Sequence, residues 1–307
     1  MIDFYKYCSK YSINIKRVEY HKDYIIVEAD DSKKYLLKEK GNSKELFDYF
    51  NRIHYSYYLP LISDLDDSIE IYRYYDEISN DIEIKSKEMI SSLISLQNKS
   101  FYYEEVGEEE FKKIYDNFHR QITDLMEYYY RLNDFIEEFS FPRIDYYVIL
   151  KYISKIHNIL KFSLERLNSW FELHDLNLRK CFLINNLKID NYCYSDVSFF
   201  IDYKDSNKDL LIYDFVSFYK ENNNINILEL FEFYNSKINL SKSEMELLFC
   251  LICIPEKIDF SNDVYKNSVL IVNTIHYIDK TLEFVSEKYK KYQETPEDKF
   301  EEQDENI

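Results

Sequence analysis

The stretch Cys181-Phe-Leu-Ile-Asn-Asn-Leu-Lys-Ile-Asp-Asn-Tyr-Cys-Tyr194, continuing as Ser195-Asp-Val-Ser-Phe-Phe-Ile-Asp-Tyr203, interrupts a long helical pattern with three short strand-like runs. Cys181 to Ile184, Asn191 to Tyr194 and Val197 to Ile201 are apolar or aromatic and too short for helices. Small β-elements set inside a helical region usually hold something in place.

Working outward, the chain on the C-terminal side is helical. Tyr213 to Lys220, Ile225 to Tyr234, a segment opened by the capping box Ser241-Lys-Ser-Glu244, and a long stretch from Asp263 to about Tyr292 all carry helical spacing. On the N-terminal side, Phe111, Ile114, Phe118, Ile122, Leu125, Tyr129, Leu132 and Phe135 or Ile136 form one packing stripe. Tyr147, Leu150, Ile153, Ile156 or His157, Leu160, Leu164 and Leu167 form a second.

Before about Glu77 the pattern changes. Arg17 to Tyr20, Tyr24 to Ala29 and Lys34 to Glu39 read as three antiparallel strands joined by the turns His21-Lys-Asp23 and Asp30-Asp-Ser32. Asn42 or Ser43 then caps a helix with Leu46, Phe47, Phe50 and Ile53 on its apolar side, Pro60 closes the following connection, and Ile69 to Tyr74 is a further strand. The expected organisation is α+β and bilobal: a small β-rich lobe with one inserted helix over 1–77, a large, mostly helical lobe over 78–292 containing the short β-interval, and a disordered acidic tail over 293–307.

Composition narrows the function classes. Lys+Arg 39 against Asp+Glu 57 gives a formal net charge of -18, which opposes binding to nucleic acid or to an anionic membrane. The longest uncharged run, Asn267 to Ile278, is far shorter than the roughly 20 residues a membrane helix needs, and the first twenty residues lack an apolar signal core. The expected location is cytoplasmic. Five scattered cysteines fit a reducing compartment, and Cys250-Leu-Ile-Cys253, inside the apolar run Leu247 to Ile254, reads as core thiols. With two glycines and one alanine, Ala29, the residue usage is that of an AT-rich genome, so a missing glycine says less here than elsewhere.

Ile184-Asn-Asn186-Leu-Lys-Ile-Asp-Asn191 resembles the catalytic loop of the aminoglycoside phosphotransferase and choline kinase clan, His-Gly-Asp-Leu-His-Pro-x-Asn. The resemblance puts Asn191 at the metal-binding asparagine. It puts Ile184 at the histidine, Asn185 at the glycine and Asn186 at the proton-accepting aspartate, so the catalytic positions are degenerate. Phe199-Phe-Ile-Asp202-Tyr resembles the clan's second metal-binding element, against the simpler reading of Asp202 as a turn residue. Leu210-Leu-Ile-Tyr-Asp214-Phe resembles the helix start whose aspartate braces the loop; an acid favoured by a helix N-terminus is the plainer alternative.

The same resemblance implies nucleotide contacts. Lys38, ending the third strand, stands where the phosphate-binding lysine belongs, although Lys33, Lys34 and Lys40 around it also suit an ordinary exposed strand end. Glu45, in the first turn of the next helix, is its candidate partner. A second register, with Asp190 as the loop's acid and Ser195 five residues on, stays open. Within the clan, Ile254-Pro255-Glu256-Lys257-Ile-Asp-Phe260 and the long helix after it resemble the spore-coat CotS-type proteins, with Pro255 structural. The resemblance covers about residues 15 to 290.

The resemblance implies a catalytically impaired pseudokinase in a low-GC Gram-positive bacterium, acting as a structural or binding component of spore coat assembly, with other coat proteins as partners. ATP and magnesium are possible ligands, although the first strand turn has no glycine to approach a phosphate. The alternatives are an active small-molecule phosphotransferase with an alcohol acceptor and a substituted base, and an adaptor using its helical surface or acidic tail.

Overall fold

The computed structural model describes residues 8–9, 11–21, 24–39, 43–59, 61–63, 69–79, 81–222 and 225–293. Lys22, Asp23, Asn42, Pro60 and the acidic tail from residue 294 onward lie outside the described residues. In chain order the elements are β1 (Ile15–Tyr20), β2 (Tyr24–Ala29), β3 (Lys34–Glu39), α1 (Ser43–Arg52), β4 (Leu61–Ser63), β5 (Ile69–Tyr74), α2 (Ile82–Ser100), β6 (Tyr102–Glu105), α3 (Glu108–Glu137), α4 (Ile144–Leu150) and α5 (Ile153–Leu173). They continue with β7 (Asn177–Leu183), a 3-10 turn (Ile189–Asn191), β8 (Tyr192–Cys193), β9 (Phe199–Phe200), β10 (Asn207–Leu210), α6 (Ile212–Glu221), α7 (Ile227–Ile238), α8 (Lys242–Ile252) and α9 (Val264–Gln293). No helix among the described residues is long and apolar enough to cross a membrane.

The elements form two compact units interleaved along the chain, residues 1–102 with 180–238, and residues 103–179 with 239–307. The first unit holds an antiparallel five-stranded sheet in the order β1-β2-β3-β5-β4. Because side chains alternate across a strand, Val27, Leu37, Ile69 and Ile71 fall on one face and pack with Cys8, Ile13 and Ala29 into an apolar core. The opposite face carries Ile26, Leu36, Lys38, Glu70 and Tyr72, and α1 contributes the buried Phe47 and Phe50.

Helix α2 is the polar-stitched post of this unit. Asp81 caps it by accepting from the amides of Glu83 and Ile84. Several of its buried polar side chains are partnered: Lys85 with Glu77 just before the helix at 2.6 Å, and, with distant segments, Ser92 with the Tyr192 hydroxyl at 2.6 Å and Gln97 donating to the Leu211 carbonyl at 3.0 Å while accepting from the Tyr234 hydroxyl at 2.8 Å. Buried polar groups satisfied in this way fix register.

In the second unit, α5 meets α8 through Ser163, which donates to the Cys250 carbonyl at 2.8 Å, and through Arg166 with Glu246 at 3.1 Å. Cys250 and Cys253 are buried and form no disulfide, as expected of core thiols. The capping box of α8 forms in full, Ser241 N donating to Glu244 Oε2 at 2.8 Å and Glu244 N to Ser241 Oγ at 3.2 Å. Pro255, buried, follows α8 after its C-cap Cys253 and turns the chain.

One local expectation is corrected. The stripe from Tyr147 to Leu167 is broken between α4 and α5, and Tyr147 is exposed. Helix α4 is anchored instead by the wholly buried Asp145, which takes a fork from Arg143 and a 2.7 Å bond from Asn267. Strand β10 pairs antiparallel with β7 from Asn207–Leu183 to Leu210–Lys180. The short strand β4 beside β5 has no signature in the sequence pattern.

Candidate functional site

The loop after β7 is pinned by the helix that follows β10. Asp214, in the first turn of α6 and fully buried, accepts from the amide of Ile184 at 3.1 Å and from that of Asn185 at 2.9 Å. It is therefore both a helix-terminal acid and the brace of the loop. No cation offsets its burial among these contacts, and desolvation raises its carboxyl to about 7 against the opposing pull of the two amides. Ser217, one turn further along α6, donates to the Asn185 carbonyl at 2.7 Å. Asn222 ends the same helix, donating to the Leu187 carbonyl at 2.7 Å and accepting from the Ile189 amide at 3.1 Å.

Asn185 has φ 62°, a left-handed backbone that costs most side chains energy. Asparagine is the residue best able to replace glycine there, and its amide also donates to the Asp205 carbonyl at 2.7 Å and to Asn207 Oδ1 at 3.1 Å. Ile184, at the histidine position of the resembled motif, is wholly buried and takes part only through its backbone and packing. Asn186 follows, half-buried, its carboxamide making no hydrogen bond to another described residue.

Asn191 closes the far end of the loop. Its Nδ2 donates to the Asn186 carbonyl at 2.8 Å and to the Asp202 carbonyl at 3.1 Å, and its Oδ1 accepts from the Asp202 amide at 2.9 Å. One asparagine thus ties the loop to the segment after β9, where Asp202 is half-buried and accepts from the Lys204 amide at 3.1 Å. Asp190, the acid of the alternative register, is exposed, and Ser195 donates to the nearby Val197 carbonyl.

Lys38 meets this segment from the sheet. Its ammonium lies 5.0 Å over the Tyr72 ring. Burial pushes it below the usual lysine range, and the charges of Asp202 and then Glu70 pull it back. Phe47, Leu59, Tyr72 and Tyr203 line the same small depression as Lys38. Lys38, Asn191 and Asp202 therefore converge within one compact unit. Glu45 does not join them: it is exposed on α1, and the carboxylates acting on Lys38 are Asp202 and Glu70. The reason is geometric, since Glu70 lies directly opposite Lys38 on the neighbouring strand.

Sequence reading missed Glu70, Ser217 and Asn222. A lone acid in Ile69-Glu-Ile-Tyr-Arg-Tyr74 was the available signal for the first, and it becomes informative only once β5 is registered against β3. Ser217 and Asn222 give no local signal, because both act through backbone groups some thirty residues away in the chain.

No family model and no curated protein matches the sequence. Solved structures do match the fold. An aminoglycoside phosphotransferase from Alicyclobacillus acidocaldarius superposes with a TM-score of 0.68 at 10% identity, over 93% of this chain and 95% of that one. The choline kinase LicA from Streptococcus pneumoniae gives a TM-score of 0.45 at 12% identity, over 92% and 98%. An amicoumacin kinase in complex with AMP-PNP and calcium gives 0.42 at 12%, over 91% and 94%. The chain has the fold of the aminoglycoside phosphotransferase on which it superposes.

Proposed function

We propose that this protein is a pseudokinase, a kinase-fold protein that works by binding and does not transfer phosphate efficiently. Asn186 carries the reading. A carboxamide cannot take up the proton that a carboxylate at this loop position would accept, which removes a contribution of about 10²–10⁴-fold in typical enzymes. The loop around it is held by Asp214, Ser217, Asn222 and Asn191.

The proposed ligand is ATP with magnesium. Asp202 and Asn191 present hard oxygen donors of the kind magnesium takes: the second carboxylate oxygen of Asp202 and the remaining lone pair of Asn191 Oδ1 are left over from the bonds described above. Such an ion supplies charge neutralisation to phosphate oxygens, and Lys38 would hold the phosphates. The proposed setting is spore coat assembly with other coat proteins as partners, supported by the likeness of Ile254 to Phe260 and the long α9 to CotS-type proteins. The net charge of -18 speaks against nucleic acid or an anionic membrane as the partner.

The test pairs a thermal-shift titration of ATP and magnesium with a phosphate-transfer assay on a panel of small alcohols. Stabilisation that Asp202→Ala abolishes, without transfer, is the expected result. Rapid transfer by the wild-type protein overturns the reading in favour of an active phosphotransferase using a substituted base, the alternative that the convergence of Lys38, Asn191 and Asp202 favours.

A further inference from the structure

Lys38 and Glu70 are direct cross-strand partners of β3 and β5, and paired residues of an antiparallel ladder project to the same face. Glu70 is only 1% exposed. Its carboxylate is fixed from its own strand, Tyr72 two residues on donating its hydroxyl to Glu70 Oε2 at 2.5 Å, and the Tyr72 ring is the one that Lys38 overlies. A buried carboxylate is stabilised by positive charge nearby, and Lys38 is the residue directly opposite it on the ladder.

We propose that Glu70, and not an acid of the inserted helix, is the standing counter-ion that positions Lys38. The inference rests on the ligand-binding reading above in one respect: Asp202, the other carboxylate acting on Lys38, would be drawn to a bound metal, whereas Glu70 is buried within the sheet and stays. Because both partners belong to one hydrogen-bonded ladder, displacement of α1 does not separate them. Lys38 is set by the sheet itself, so the site has no switch of the kind in which a helix swings its acid toward or away from the lysine.

Among the described residues, the other ionisable groups facing Lys38 are Tyr24, its partner on β2, Tyr72 on β5, and Asp202 and Tyr203 after β9. The test reads Lys38 alone, without nucleotide, so it does not depend on whether ATP binds. The rate at which Lys38 is acylated is followed against pH by mass spectrometry in the wild type, Glu70→Gln, Asp202→Asn and Glu45→Gln. Removing a carboxylate that stabilises the ammonium lowers its pKa, so at a fixed pH on the rising limb Glu70→Gln should react about three- to ten-fold faster. Asp202→Asn should do the same, and Glu45→Gln should match the wild type. An unchanged rate in Glu70→Gln, or an equal rise in Glu45→Gln, overturns the proposal. Should Glu70→Gln fail to fold, Tyr72→Phe keeps the ring and removes the hydroxyl anchor; a smaller rise supports the proposal, and no rise refutes it.

Discussion

Asp214 Oδ1 sits 2.9 Å from the amide nitrogen of Asn185, a residue whose backbone is left-handed at φ 62°. A buried acid and a strained loop residue thereby stabilise each other: the carboxylate holds the amide in place, and the loop supplies the donors the carboxylate lost on leaving water. Ile184 adds a second donor to the same oxygen at 3.1 Å.

Asp214 should give the protein a pH signature. Its folded-state value of about 7 lies above the ordinary aspartate value, so between about pH 4 and 7 the native state holds a proton that the unfolded chain has released. Its contribution to stability therefore falls as pH rises through that window and levels off above it. Asp214→Asn can keep Oδ1 as the acceptor for both amides and cannot titrate. Chemical denaturation across pH 4–8 should show the wild type losing stability relative to Asp214→Asn as pH rises, and parallel curves would count against the assignment.

At Asn185 the order of stability should be wild type, then Gly, then Ala. Both substitutions lose the bonds to Asp205 and Asn207. Alanine adds a left-handed backbone cost of about 1–2 kcal/mol that glycine avoids, partly offset by glycine's extra freedom in the unfolded chain. Urea midpoints of the two variants decide the order.

Asn186→Asp should be structurally cheap, within about 0.5 kcal/mol, because the side chain is half-buried and makes no hydrogen bond to a described residue. It is consequently a clean test of the proposed function. If ATP and magnesium bind, the variant should gain phosphate transfer or hydrolysis by about 10² or more over the wild type, measured as metal-dependent ADP release.

Phe50 is wholly buried, with ring centroids 5.0 Å from Tyr55, 5.4 Å from Phe182 and 5.3 Å from Tyr203. Its removal opens a cavity under the sheet face that bears Lys38. Phe50→Ala should cost about 3–5 kcal/mol of unfolding free energy, and a loss below about 1 kcal/mol would mean the cluster repacks.

A milder effect is expected at Ser241, whose capping box on α8 is complete. Ser241→Ala should cost about 1 kcal/mol, with Ser241→Asp close to the wild type in thermal melts.

Local patterns made much of this protein legible in the chain alone. Strands β2, β3 and β5 fall where their β-branched and aromatic runs and turn residues place them, and the capping box, α1 and the ordered series Ile184–Asn191, Asp202 and Asp214 are likewise properties of short segments. That residue 186 is an asparagine, with no carboxylate to accept a proton, is likewise a matter of residue identity. What only the tertiary structure decided depends on register and burial. That Lys38 faces Glu70 and not Glu45 comes from pairing β3 with β5 some thirty residues away; that Asp214, Ser217 and Asn222 converge on one loop comes from packing α6 beneath it. Residues 1–102 join 180–238 in one compact unit for the same reason: hydrogen bonds and apolar contacts between distant segments set the geometry, and no local propensity encodes them.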